Sequence, residues 1–107
     1  MSLAEKKCVP CRGGVPPLSS AEIDPLLREV PKWSLNRAGH LERAYAFEGF
    51  APALEFVNRV GALAENEGHH PDIILAWGKV VLELWTHKAS GLTESDFIFA
   101  AKVDRIR

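Results

Sequence analysis

The apolar positions of this chain change period several times, and each change marks an element. Ile23, Leu26, Leu27 and Val30 recur at helical spacing, which predicts a helix with one apolar face. Ser19 and Glu22 stand before it as an S-x-x-E capping box, with Leu18 and Ile23 in place for a hydrophobic staple. Pro25 lies past the first turn, where it removes a backbone donor, so the pattern predicts either a kink or a later helix start. Pro31 closes the segment. Trp33 to Asn36 and Leu41 to Phe47 read as two strands around Arg37-Ala38-Gly39-His40. In the second of them Leu41, Arg43, Tyr45 and Phe47 alternate with Glu42, Ala44 and Ala46, as a pleated strand requires. Trp33 is assigned to the core. Pro52 suits the first turn of another helix, whose apolar face is Ala53, Phe56, Val57, Val60 and Ala64 and whose stop is Gly68. A second hairpin follows, Asp72 to Ala76 and Lys79 to His87 about Trp77-Gly78. Val80, Leu82 and Leu84 share one face of its second strand, and Val81, Glu83, Trp85 and His87 share the other. Thr93 opens a last helix, with Asp96 in the capping-box position and Leu92 and Phe97 set to staple.

The order is α-β-β-α-β-β-α. Both strand pairs are short-linked, so an antiparallel sheet of four strands needs no crossover within a pair. Three helices on one face of that sheet complete an α+β domain. Residues 18–107 form this domain and residues 1–17 precede it as an irregular arm; 107 residues are too few for two stable cores. The Lys79–His87 strand carries large apolar groups on both faces, more than helices on one side can cover, so the chain is expected to form at least a dimer.

Composition narrows the function. With 47% hydrophobic and 25% charged residues the chain is globular and not disordered. A formal charge of −1 gives no footprint for nucleic acid or an anionic membrane, so neither is expected as a partner. No apolar run approaches the roughly 20 residues that span a bilayer, and the N-terminus lacks a signal-peptide pattern. A cytoplasmic protein is expected. Cys8 and Cys11 are the only cysteines, and a single C-x-x-C supplies at most half of a four-thiolate zinc site. Pro10 and Gly13-Gly14 surround the pair with turn chemistry, unlike the helix start of a redox pair. The arm is read as a mobile tail, with metal or redox work as the alternatives.

Candidate chemistry lies between Glu65 and Asp96, where His69, His70 and His87 fall around the second hairpin. Histidine titrates near neutrality and so can give or take a proton there. Glu65 stands four residues before His69, within helical reach of it, although Gly68 loosens that turn. Asp96 can cap its helix and also orient the His87 ring. Trp77 is either a hairpin hydrophobe or a pocket wall. The fourth histidine, His40, lies in the first hairpin loop, remote from this group, and its loss is expected to be near neutral. A metal site would need three or four converging ligands, but adjacent histidines converge poorly and no HxH or HExxH spacing is present. No G-x-S-x-G elbow, phosphate-cradling loop or dinucleotide fingerprint appears either. Metal-free proton transfer is the remaining reading.

These residues resemble the pterin-4a-carbinolamine dehydratases. That family's pattern is an acidic residue, three spacers, His-His-Pro, five spacers, an aromatic, nine spacers, His, and then Asp. Glu65, His69-His70-Pro71, Trp77, His87 and Asp96 reproduce every spacing. The likeness extends through Pro31-Lys32-Trp33 and Gly91-Leu92-Thr93. It implies a four-stranded antiparallel sheet with three helices on one side and a homodimer or homotetramer. It also implies a hydro-lyase that removes water from 4a-hydroxytetrahydropterin to give quinonoid dihydropterin. Such an enzyme recycles the cofactor of aromatic amino-acid hydroxylases and uses no metal or organic cofactor itself. By match, catalysis falls to His69, His70 and His87 with support from Glu65 and Asp96. Substrate binding falls to His69, His70, Pro71, Trp77, Thr86, His87, Lys88 and Ala89. The family also includes a dimerisation cofactor for a transcription factor and degenerate assembly factors, so a non-catalytic interaction module is the alternative.

Overall fold

The computed structural model describes residues 3–8 and 16–107. Helix α1 spans Ser20–Arg28 and α2 Phe50–Glu67; α3 spans Glu94–Ile106. The strands are β1 Ser34–Leu35, β2 Leu41–Ala46, β3 Asp72–Ala76 and β4 Lys79–Leu84, with short 3-10 turns at Leu3–Glu5 and His87–Ala89. All neighbours in the sheet are antiparallel, in the order β1-β2-β4-β3. The expected element order is therefore observed, with differences at the strand ends. The first strand shortens to Ser34–Leu35, the second ends at Ala46 instead of Phe47, and the last ends at Leu84 because the backbone beyond it turns through Thr86 into the 3-10 turn.

Local signals act where they were expected. Ser19 caps α1 reciprocally with Glu22, and Pro25 is accommodated inside the helix. The core lies between the sheet and the helices. Leu41 and Tyr45 of β2 and Val80, Leu82 and Leu84 of β4 meet Ala53, Phe56, Val60 and Ala64 of α2 and the apolar face of α3. Trp33 is buried, and its indole N–H donates to Asp104 on α3 at 2.9 Å. On the opposite face of the sheet Ile74 is exposed.

Residues Leu3–Cys8, expected to lie in a mobile tail, are docked on the domain. Leu3 and Cys8 are buried, Lys102 Nζ donates to the Ala4 carbonyl at 3.0 Å, and Lys6 pairs with Glu94. Cys11 and the rest of the expected C-x-x-C chemistry lie outside the described residues. Among the described residues no helix is long and apolar enough to cross a membrane.

Candidate active site

The site begins at the end of α2. Gly68 terminates the helix with φ at 65°, a left-handed conformation that glycine adopts without Cβ strain. The His69 N–H closes back on the Ala64 carbonyl at 3.2 Å, and the chain then leaves the helix axis. This bend decides which carboxylate each histidine meets. His69 Nε2 lies 2.7 Å from Asp96 Oδ1, and His70 Nε2 lies 2.5 Å from Glu65 Oε2. The expected Glu65–His69 pairing is thus replaced: a continued helix would have aligned them, but Gly68 swings His69 across to α3 and returns His70 to Glu65. The two pairs differ in setting. His69 and Asp96 are shielded from solvent, whereas the His70 and Glu65 side chains are 61% and 79% exposed. An exposed pair of that kind contributes little to stability.

Asp96 is fully buried at the first turn of α3, where the helix dipole favours a negative charge. Its Oδ2 accepts the Thr93 backbone N–H at 2.9 Å and the Thr86 hydroxyl at 2.8 Å, and its Oδ1 faces His69. It is therefore the capping carboxylate that was expected, but the ring it orients is His69 and not His87. Thr86 is placed for this role by a bridge to Gly91 that closes the His87–Ala89 turn. Gly91 is required there because an added Cβ would lie 2.7 Å from the Pro17 side chain.

His69, His70 and His87 line one open cavity of about 320 Å³ together with Gly68, Trp85, Thr86 and Lys88. That volume is at the lower end for small-molecule sites and suits a compact ring system. Trp85, expected to face a partner or a cleft but not named among the site residues, forms a wall of the site. The indole stacks on His87, with centroids 3.9 Å apart and planes 24° from parallel, and its N–H points to Asp72 Oδ2 at 3.3 Å. The available signal was the alternation that placed Trp85 and His87 together on the outer face.

His40 is not remote from the site, contrary to expectation. Its ring stacks on Trp85 at 4.3 Å with planes only 7° apart, and its Nδ1 lies 2.6 Å from Glu83 Oε2. Glu83 also accepts from Asn36 Nδ2 at 2.8 Å; the Asn36 contact first, and then His40, hold its carboxyl below the ordinary glutamate value. The antiparallel pairing of β2 with β4 causes this, because it sets Leu41 opposite Leu84 and so brings the first hairpin loop beside Trp85.

Three residues matched to the family pattern do not line the cavity. Trp77 sits at the tip of the β3–β4 hairpin with 76% of its surface exposed. Pro71 follows the two histidines without facing the cavity, and Ala89 is buried beneath the turn. Among the described residues no group of three or more His, Cys, Asp or Glu side chains is arranged to hold a metal ion.

Behind the histidines the arm packs against the same two helix ends. The Cys8 N–H donates to Glu67 Oε1 at 3.1 Å, and its thiol lies 3.6 Å from the carbonyl of Ser95, next to Asp96. Burial, reinforced by the Glu67 charge, pushes the Cys8 thiol up to about 12.

With this geometry described, comparison with known proteins identifies the class. The family profile described as Pterin 4 alpha carbinolamine dehydratase matches residues 16–106, and the chain belongs to that family. Two curated relatives carry the name "Putative pterin-4-alpha-carbinolamine dehydratase". That of Rubrobacter xylanophilus is 57% identical over 97% of both chains, and that of Rickettsia bellii is 54% identical over 99% of this chain and 95% of its own. Among solved structures, a transcriptional coactivator/pterin dehydratase from Brucella melitensis superposes with a TM-score of 0.78. It is 30% identical, over 84% of this chain and 97% of that one.

Proposed function

We propose that the chain catalyses dehydration of 4a-hydroxytetrahydropterin to quinonoid dihydropterin by histidine acid–base chemistry. It would thereby recycle tetrahydropterin for aromatic amino-acid hydroxylases. The observation that carries this reading is the convergence of His69, His70 and His87 on one cavity, two of them held by carboxylates. The reaction requires the C4a hydroxyl to leave as water, which protonation assists, and the N5 proton to be accepted. Each transfer suits an imidazole working near neutral pH and is worth roughly 10²–10⁴ in rate.

The carboxylates set the tautomers. An ionised Asp96 or Glu65 can only accept, so the Nε2 of His69 and of His70 carries its proton toward the partner. A ring so held leaves Nδ1 as its acceptor, fitted to take a proton from substrate. Lys88 and Thr86, beside His87, join the binding surface. Pro71, Trp77 and Ala89 are read as supporting the loop and turn, or as acting in an assembly, since none faces this cavity.

Assembly into a homodimer or homotetramer is part of the reading. It is supported by exposed Ile74 on the outer face of the sheet and by exposed Trp77 at the hairpin tip. Light scattering showing one 11.8 kDa species at all micromolar concentrations would remove it. An interaction function of the coactivator kind is suggested by the Brucella melitensis neighbour, a transcriptional coactivator/pterin dehydratase. The complete histidine set favours the enzyme.

The deciding experiment generates 4a-hydroxytetrahydropterin in the assay and follows its disappearance with and without the protein. Acceleration proportional to protein concentration is expected. A rate equal to that in buffer would reject the proposal.

A further inference from the structure

Each of the other three histidines has a carboxylate: His69 has Asp96, His70 has Glu65 and His40 has Glu83. His87 does not. Among the described residues its imidazole has no hydrogen-bond or ion-pair partner, and the one ring it contacts is that of Trp85. A ring at the entry to a short 3-10 turn with no hydrogen bond can rotate about two side-chain torsions, so its direction rests on stacking alone. Trp85 in turn is held at its edge by Asp72 and on its face by His40.

We propose that His40 is a positioning residue for His87: anchored by Glu83 and stacked on Trp85, it fixes the indole against which the His87 ring lies. The inference rests on the reading of His87 as a proton-transfer group. The geometry is that of a series of three nearly parallel rings reaching from the first hairpin loop to the cavity. Its outer end is secured twice, because Glu83 binds both His40 and Asn36, and the Asn36 side chain itself holds the loop through the Ala38 and His40 backbone N–H groups at 3.0 Å. The half-buried His40 ring is thus locked before it meets the indole. Removing it leaves Trp85 with its packing against the core and its long bond to Asp72 but with nothing on the outer face of the indole, and the platform beneath the His87 ring loosens. Misplacing a reacting group by about 1 Å can cost about 10² in rate, so a partial loss of order should cost about tenfold.

The test compares His40→Ala with His40→Phe, which keeps a flat ring but cannot bind Glu83. NMR signals of the His87 ring, assigned by their absence in His87→Gln, are displaced by the Trp85 ring current when the stack is intact. Expected for His40→Ala are a shift of those signals toward their unfolded positions and a kcat lowered about tenfold, with KM changed less than twofold. His40→Phe, which keeps the stacked ring but loses the Glu83 anchor, should restore part of both. Should His40→Ala fail to fold, His40→Leu, which fills the space without a flat ring, takes its place and should move the His87 signals in the same way. Unmoved His87 signals in a folded His40→Ala or His40→Leu variant would overturn the proposal, as would equal kinetic loss in His40→Ala and His40→Phe. A wild-type protein without dehydratase activity would defeat the functional reading alone, because the NMR comparison needs no substrate.

Discussion

Replacing Asp96 by Asn tests the centre of the site with the smallest change in shape. The carboxylate accepts three hydrogen bonds: from Thr93 N–H and the Thr86 hydroxyl on one oxygen, and from His69 Nε2 on the other. An Asn oriented to keep the first two places its NH₂ against His69 Nε2. Two donors then face each other unless His69 moves its proton to Nδ1, the nitrogen that should accept from substrate. In the serine-protease triad the equivalent change of tautomer costs about 10⁴ in turnover. Here His70 and His87 share the cavity, so a loss of at least about 10² is expected. The stability cost should be modest because the cap survives: a hydrogen bond to a charged group contributes about 1.5–3 kcal/mol, and a neutral acceptor keeps part of it. Stopped-flow dehydratase kinetics and urea unfolding of the same samples measure the two effects. Thr86→Val is the control, since it removes one bond to Asp96 without touching His69; it should destabilise while leaving more turnover than Asp96→Asn. If Asp96→Asn kept more than half of wild-type kcat, the assignment of His69 as a carboxylate-oriented proton acceptor would be wrong.

Glu83 has its carboxyl lowered in the fold by Asn36 and then His40, so its contribution to stability is complete above the ordinary glutamate value of 4.5 and is lost as pH falls through the lowered one. Glu83→Gln should therefore flatten the acid limb of a stability–pH curve below about 4.5; superimposable limbs would contradict the His40–Glu83 contact. Cys8 is buried with its thiol raised to about 12, so iodoacetamide at pH 8 should modify it only after denaturant is added, which mass spectrometry of the peptide resolves. Leu3 is buried against the core, and Leu3→Ala should cost about 2–4 kcal/mol in urea unfolding; a change below about 0.5 kcal/mol would show the arm to be dispensable. Dialysis against a strong chelator should leave dehydratase activity unchanged, and a loss restored by zinc would favour a metal site instead.

Elements governed by contacts within a few residues were legible in the chain itself. The capping boxes of Ser19–Glu22 and Thr93–Asp96, the stop at Gly68 and the buried alternation of Val80, Leu82 and Leu84 all appear as expected. Each depends on neighbours three or four positions away, or on a period of two, and so leaves its mark in local order. The family pattern likewise marked His69, His70 and His87 as a group. What the chain alone left open was which carboxylate each ring would meet, because Asp96 reaches His69 across 27 positions and only the bend at Gly68 directs it there. The same holds for Trp77 and Trp85. Both are aromatic residues near a hairpin, yet the turn exposes one while the exit from β4 lays the other along the cavity. His40 entered the site through the register that sets Leu41 opposite Leu84, a pairing decided by packing the sheet against its helices and not by any local pattern.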